Sequence, residues 1–178
     1  SAWMSRCGLD VENILVAQPN TAEETFDEIR RLMDEGIDLI VLDSIASLVP
    51  SKVAEEDFSY GPMAWQARFV NSAFPKLIPY LKNGAAFVAI NQLRSGLGKV
   101  SFDTFPGGVA QEFYAHFILR ISRSGWLEEN KKKIGFDMEI RVRKSKVGGM
   151  PQQACIVPFK FDGGIDLTET LMRESLRK

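Results

Sequence analysis

Two short segments of this 178-residue chain constrain its fold more than any other feature. Leu39-Ile40-Val41-Leu42 is apolar without interruption and runs into Asp43-Ser44; residues 85–90 are nearly as apolar and run into Asn91-Gln92. A strand with one wet face alternates apolar and polar residues. A strand that does not alternate is expected to be buried on both faces, as parallel strands under helices are. A helical stretch lies between these two segments. They therefore read as neighbouring parallel strands joined by a crossover. In such sheets ligands bind beyond the carboxyl ends of the strands.

The flanking residues extend this pattern. Residues 13–17 read as a short apolar strand. Thr21-Ala22-Glu23-Glu24 has the form of a capping box. Ala22, Phe26, Ile29 and Met33 follow at helical spacing, and Gly36 closes that helix. Residues 50–62 are polar, acidic and punctuated by Gly and Pro, as a loop is. Residues 63–82 are helical in composition, with Trp65, Phe69, Leu77, Ile78 and Leu81 as core candidates. Pro75 and Pro79 each remove a helical N–H and crowd the preceding turn, so a break or kink is expected there. Residues 93–108 hold four of the 14 glycines and show no periodicity, the mark of a functional loop. Residues 55–61 and 95–106 are expected to be the most mobile internal segments.

Residues 109–115 look like a short helix. Residues 117–122 and 136–144 read as hairpin strands, with Lys131-Lys132-Lys133 topping the turn. Residues 154–161 form a further strand, which Pro158 assigns to an edge. A short amphipathic helix from Thr168 follows. The expected fold is α/β: a twisted, mostly parallel sheet with flanking helices and an antiparallel edge hairpin, in a single domain over residues 1–178.

Composition removes several classes. With 45% apolar and 25% charged residues the chain is neither a disordered tail, a collagen-like repeat nor a disulfide scaffold. No apolar run reaches the 18 or so residues of a membrane span, and no basic-then-apolar secretory signal is visible. Cys7 and Cys155 are the only cysteines and lie outside any metal-ligand spacing, so a reduced, cytoplasmic setting is expected. His116 is the only histidine, which argues against a Ser-His-Asp triad or a histidine-based zinc site. The net charge of −1 hides a split: residues 1–60 carry −9 and residues 61–178 carry +8. The basic part suits an anion such as phosphate. The split equally suits attraction between the halves or between neighbouring subunits.

Three constellations carry chemistry. The apolar strand ending in Asp43-Ser44 places a carboxylate as P-loop NTPases do beside the nucleotide's magnesium; a capped turn after a buried strand has the same appearance. Asn91-Gln92 ends the next strand, and a neutral carboxamide such as Gln92 can meet a terminal phosphate without changing charge; an ordinary strand-ending turn reads the same way. Lys144 and Lys146 leave the hairpin strand together with Arg141 and Arg143, positioned for phosphate or simply solvated. Trp3, Trp65 and Trp126 have faces on which bases stack and equally the bulk that anchors a core.

Taken in order, these segments resemble the bacterial RecA recombinase family. The matching stretches are GIDLIVLDSIASLVP at 36–50, residues 63–68, FVAINQLR at 87–94, Gly107-Gly108 with Phe113-Tyr114-Ala115, and residues 142–146; NILVAQPNTAEE at 13–24 is also similar. The resemblance implies roles. Asp43 is the Walker B aspartate, holding Mg²⁺ indirectly through water, with Ser44 beside it. Gln92 senses the γ-phosphate. Met63 and Arg68 belong to the first DNA-binding loop and the helix start after it. Arg94, Lys99, Gly107 and Gly108 belong to the second. Lys144 and Lys146 reach a neighbouring subunit's ATP, and Phe113 is an interface residue.

It implies ATP and Mg²⁺ as cofactors. Single- and double-stranded DNA and further copies in a helical filament are the implied partners, with no membrane. The implied function is homologous recombination, by a core that binds single-stranded DNA in an ATP-dependent filament and promotes strand exchange. The other expectation is a RecA-like DNA- or recombinase-binding protein without ATPase activity. The family's Gly-rich P-loop is absent from these 178 residues, so hydrolysis by this chain alone is not expected. Pro75 and Gly96 stand where the family carries basic residues, so weaker and less salt-sensitive DNA binding is expected.

Overall fold

A computed structural model describes residues 2–51, 62–81, 84–95, 103–104, 106–150 and 152–176. In chain order the elements are α1 (Ala2–Arg6), a 3-10 turn (Val11–Asn13), α2 (Ala22–Asp34), β1 (Leu39–Leu42), a second 3-10 turn (Ile45–Ser47), α3 (Pro62–Leu81), β2 (Ala86–Ala89), β3 (Arg94–Ser95), β4 (Asp103–Thr104), α4 (Ala110–Tyr114), β5 (Phe117–Glu129), β6 (Lys132–Ser145), β7 (Ala154–Lys160), β8 (Gly164–Ile165) and α5 (Leu167–Ser175). They fall into two compact units, Ala17–Ala115 and Ser1–Val16 with His116–Lys178.

In the unit 17–115, α2 begins on the expected capping box. Thr21 Oγ1 accepts from the Glu24 N–H at 3.2 Å, and Glu24 Oε2 accepts from the Thr21 N–H at 3.4 Å. It ends with Gly36 at φ 84°, the Gly36 N–H donating to Met33 O and the Ile37 N–H to Leu32 O, which is a Schellman closure. Its buried face is Ala22, Phe26, Ile29, Leu32 and Met33. β1 and β2 pair in parallel, Leu39 opposite Ala86 and Leu42 opposite Ala89. Only one face of the pair is covered. Ile40 and Leu42 are buried, whereas Leu39, Val41 and Val88 are 57%, 54% and 47% exposed. The expectation of burial on both faces is corrected accordingly: helices of this unit pack on one side.

Helix α3 runs without interruption through Pro75 and Pro79, so the expected break is absent. Val70, Ala73, Phe74 and Leu77 recur at helical spacing on its buried face. Packing of that face holds the helix across the two lost hydrogen bonds. Leu77 belongs to the core as expected, Trp65, Phe69 and Leu81 are partly buried, and Ile78 is 40% exposed. Edge-to-face contacts of Phe26 with Phe69 and of Phe74 with Phe87 join α2, α3 and β2.

Two further expectations change. Residues 13–17 form no strand: Val11–Asn13 is a 3-10 turn, and Leu15 and Val16 are 66% and 67% exposed. Among the described residues no neighbouring strand offers them a ladder, and apolar composition alone does not make one. Within 93–108, Arg94 pairs with Thr104 and Ser95 with Asp103, so the segment contains a short antiparallel ladder rather than loop alone. The mobility expected of 55–61, and of most of 95–106, lies outside the described residues.

The second unit is an antiparallel sheet in the order β5-β6-β7-β8. The hairpin strands are longer than their periodicity indicated. They close on Asn130 and Lys131 at φ 50° and 62°, the paired positive φ of a tight hairpin turn. Lys132 and Lys133 therefore lie in β6, past the turn. Pro158 sits opposite Asp137 of β6, and its carbonyl accepts from the Asp166 N–H at 3.0 Å. A residue's N and C=O point the same way in a strand, so the missing N–H lies on the outer side, where β8 pairs only Phe159 and Lys160. The edge position read from Pro158 is corrected: β7 lies between β6 and β8, and the proline is tolerated because its missing N–H falls just beyond the two residues that β8 pairs. Taken together the fold is mixed α/β, with a parallel two-stranded sheet and a separate antiparallel four-stranded one. Among the described residues no helix is long and apolar enough to cross a membrane.

Candidate functional site

The carboxyl ends of β1 and β2 are laced together beyond the ladder. The Ile90 N–H donates to Leu42 O and the Ile45 N–H to Ile90 O, both at 2.9 Å. Asp43, between those bonds, is exposed, while Ser44 is buried; the peptide joining them is cis. The Ser44 N–H donates to Ser47 Oγ at 3.2 Å, and the Ser47 hydroxyl donates to Ser44 O at 2.8 Å. Below this turn the buried carboxamide of Gln66 donates to Ile45 O at 2.7 Å and Leu48 O at 3.2 Å. The Asp43 turn is thus tied down by backbone and by helix α3, and its carboxylate is left in solvent.

Gln92 lies just beyond the second strand tip. Its side chain is exposed, and its backbone N–H donates to Asn91 Oδ1 at 2.9 Å. Asn91 Nδ2 donates to Pro106 O at 2.8 Å and to Gln111 Oε1 at 2.9 Å. Gln111 Nε2 donates to Pro106 O at 2.7 Å and Gly108 O at 2.9 Å. These bonds draw the end of segment 93–108 back against the strand tip where it started.

Between them lie Gly107 and Gly108, at φ 87° and 68°. A Cβ on Gly107 would sit 3.0 Å from Ile45 Cγ2 and 3.3 Å from Val70 Cγ2; one on Gly108 would sit 3.1 Å from Ala67 Cβ. Both glycines are required by backbone conformation and by close approach. Ala67 precedes Arg68, so the end of the second segment packs beside that arginine. Arg68 is exposed, with its guanidinium 5.6 Å from the centre of the Trp65 ring.

The remaining expected residues are dispersed. Met63 is in the first turn of α3, Arg94 is in β3, and Phe113 is exposed on α4. Lys99 lies outside the described residues. Lys144 and Lys146 belong to the other unit. Lys144 lies opposite Ile118, and the Lys146 N–H donates to His116 O at 2.9 Å. In that unit Trp126 meets two cations, with the Arg123 guanidinium 4.0 Å and the Lys133 ammonium 4.2 Å from its ring centre. The acidic excess of residues 1–60 is partly met on α2 itself. Arg31 lies 2.6 Å from Glu28 and 2.7 Å from Glu35, and its hydrogen bond holds the Glu28 carboxyl below the usual carboxylate range.

Gln66, Gln111 and the orienting role of Asn91 had no signal in the sequence. Each acts through a backbone carbonyl or a partner 18 or more positions away.

The family model for the RecA N-terminal domain matches residues 1–166. The chain belongs to the RecA family. It is 36% identical over 149 residues to Protein RecA of Trichodesmium erythraeum, covering 82% of this chain and 41% of that protein. Protein RecA of Aquifex aeolicus is 34% identical over 157 residues, 85% of this chain and 45% of that protein. Protein RecA of Frankia alni is 32% identical over 174 residues, 96% of this chain and 50% of that protein. The chain thus spans about half the length of the RecA relatives it matches.

Proposed function

We propose that this chain is the core of a homologous-recombination protein that binds single-stranded DNA in an ATP-dependent filament and promotes strand exchange with duplex. The observation that carries the reading is the junction at Gly107-Gly108. There the end of the glycine-rich segment meets the Asp43 turn at Ile45 and helix α3 at Ala67, beside Arg68. One surface thereby gathers the acidic strand tip and the backbone of a DNA-contacting segment. Arg68 would meet backbone phosphate, which carries no sequence information.

The residues at the strand tips fit one wall of a magnesium–nucleotide site. An exposed carboxylate at Asp43 suits a metal-bound water, and the exposed Gln92 carboxamide offers a donor to a terminal phosphate. Magnesium, when bound, neutralises charge on the phosphates. Lys144 and Lys146 would serve a neighbouring copy's nucleotide. The exposed apolar face of β1 and β2 suits a mostly parallel RecA-like sheet that carries helices on both faces. A cytoplasmic setting accompanies this reading.

The same junction at Gly107-Gly108 suits a second reading: a RecA-like protein that binds DNA or another recombinase without hydrolysing ATP. Fluorescence anisotropy separates the shared DNA claim from its failure. The chain should bind oligothymidine and mixed-sequence single strands with similar affinity, which falls as salt rises. Strong sequence preference, or salt-independent binding, would overturn it.

A further inference from the structure

The carboxamides of Asn91 and Gln111 each use both amide protons and accept one bond on oxygen, all with one another and with three backbone positions. Asn91 Oδ1 takes the Gln92 N–H, and its two amide protons go to Pro106 O and Gln111 Oε1. Gln111 receives that bond on oxygen and sends its own two protons to Pro106 O and Gly108 O. Turning either group over would set oxygen against carbonyl oxygen, so both orientations are determined by the network. All five bonds measure 2.7 to 2.9 Å. Neither side chain is charged. The network joins position 92, where the second DNA-contacting segment starts, to 106 and 108, where it ends.

We propose that Asn91 and Gln111 form a clasp that closes this segment at its base, and that Gln111 is a positioning residue for DNA binding that touches no DNA. The proposal rests on the DNA reading above and deepens it. Holding both stems fixes the backbone at 92 and at 106–108, so less freedom at those positions is left for DNA binding to remove.

Two measurements on the 178-residue chain test this, using Asn91→Ala, Gln111→Ala and the double variant. The first is oligothymidine binding across a salt series. Each single variant should bind roughly fivefold more weakly, as loss of about one net hydrogen bond implies. The double variant should bind no more weakly than either, because the pair acts as a unit. The salt slope should stay at the parent value, since no phosphate contact is removed. The second is amide hydrogen exchange without DNA, which should quicken at Gln92, the network's one backbone donor, in all three. Parent-like affinity in Gln111→Ala, additive losses in the double variant, or a shallower slope would overturn the clasp. If the parent chain binds no oligothymidine, the DNA reading is what fails. Unchanged exchange at Gln92 in Gln111→Ala would then refute the clasp independently.

Discussion

At the residue scale, Arg68 and Arg94 are the two cations on which the DNA reading places backbone phosphate. Arg68 is exposed on α3 over Trp65 and adjoins the residue that Gly108 packs against. Arg94 opens the β3–β4 ladder that starts the second segment. In a version carrying a relative's P-loop segment before Ser1, Arg68→Ala and Arg94→Ala should each weaken single-strand binding. Each should also make the salt slope shallower by about 0.7, the value of one single-strand phosphate contact. Unchanged affinity and slope in both would move the DNA path elsewhere. A different residue reports on pH. Asp166 caps α5, accepting from the Glu169 N–H at 2.9 Å, and pairs with Lys160 at 2.8 Å. The backbone bond first, then Lys160, holds its carboxyl below the ordinary range. A depressed carboxylate contributes stability above its unfolded pKa, about 3.9, and loses it as pH falls through the lower folded value. Asp166→Asn keeps a capping oxygen and removes the charge. Its melting temperature should lie below the parent's at pH 7, with the gap closing as pH falls below about 4. An equal gap at pH 7 and pH 3 would show that the charge is not what matters.

At the element scale, α2 is the helix whose ends are written most plainly in the sequence. Thr21→Ala removes the acceptor for the Glu24 N–H and should cost about 1 kcal/mol. In a chain of this length that corresponds to a fall in melting temperature of roughly 2–4 °C, measurable by circular dichroism; no shift would show that the cap is redundant. The reason α2 was readable is locality, since cap, spacing and Gly36 all lie within one helix. The β1 and β2 segments were readable as strands and as a parallel pair for the same reason. Whether a partner covers their second face is a tertiary fact, and the exposure of Leu39 and Val41 shows that none among the described residues of this unit does. The break that proline favours is also overridden at tertiary range. Pro75 and Pro79 are strong local breakers, yet the packed row Val70, Ala73, Phe74 and Leu77 carries α3 past them. The strand read at 13–17 erred the other way, because apolar residues without a ladder remain irregular. Of the candidate site, the strand tips Asp43 and Gln92 were placed by sequence. The Asn91–Gln111 network was not, because Gln111 looks like any polar helix residue until the turn at 106–108 brings it back to Asn91.

At the scale of the whole molecule, the proposed reading makes the strand tips one wall of a nucleotide site rather than a complete one. Triphosphate binding in this family's manner calls for a cradle of backbone N–H groups, and the P-loop that supplies it is not among these 178 residues. Asp43 and Gln92 offer a carboxylate and a carboxamide at one end of the parallel pair, both exposed. A carboxylate facing solvent with no phosphate cradle beside it has nothing to hold the leaving and attacking oxygens in line, and phosphoryl transfer depends chiefly on that positioning. The chain alone should therefore show no ATP turnover above the buffer, with or without single-stranded DNA. The extended version should turn ATP over when DNA is present, and Asp43→Asn should abolish that turnover while leaving the circular dichroism melt unchanged, because an exposed side chain contributes little to stability. Lys144→Ala with Lys146→Ala should leave the monomer folded and impair ATP-dependent filament assembly, read by sedimentation, if both lysines serve a neighbouring copy. Steady DNA-stimulated turnover by the 178-residue chain, lost in Asp43→Asn, would show that these residues complete a nucleotide site without a P-loop.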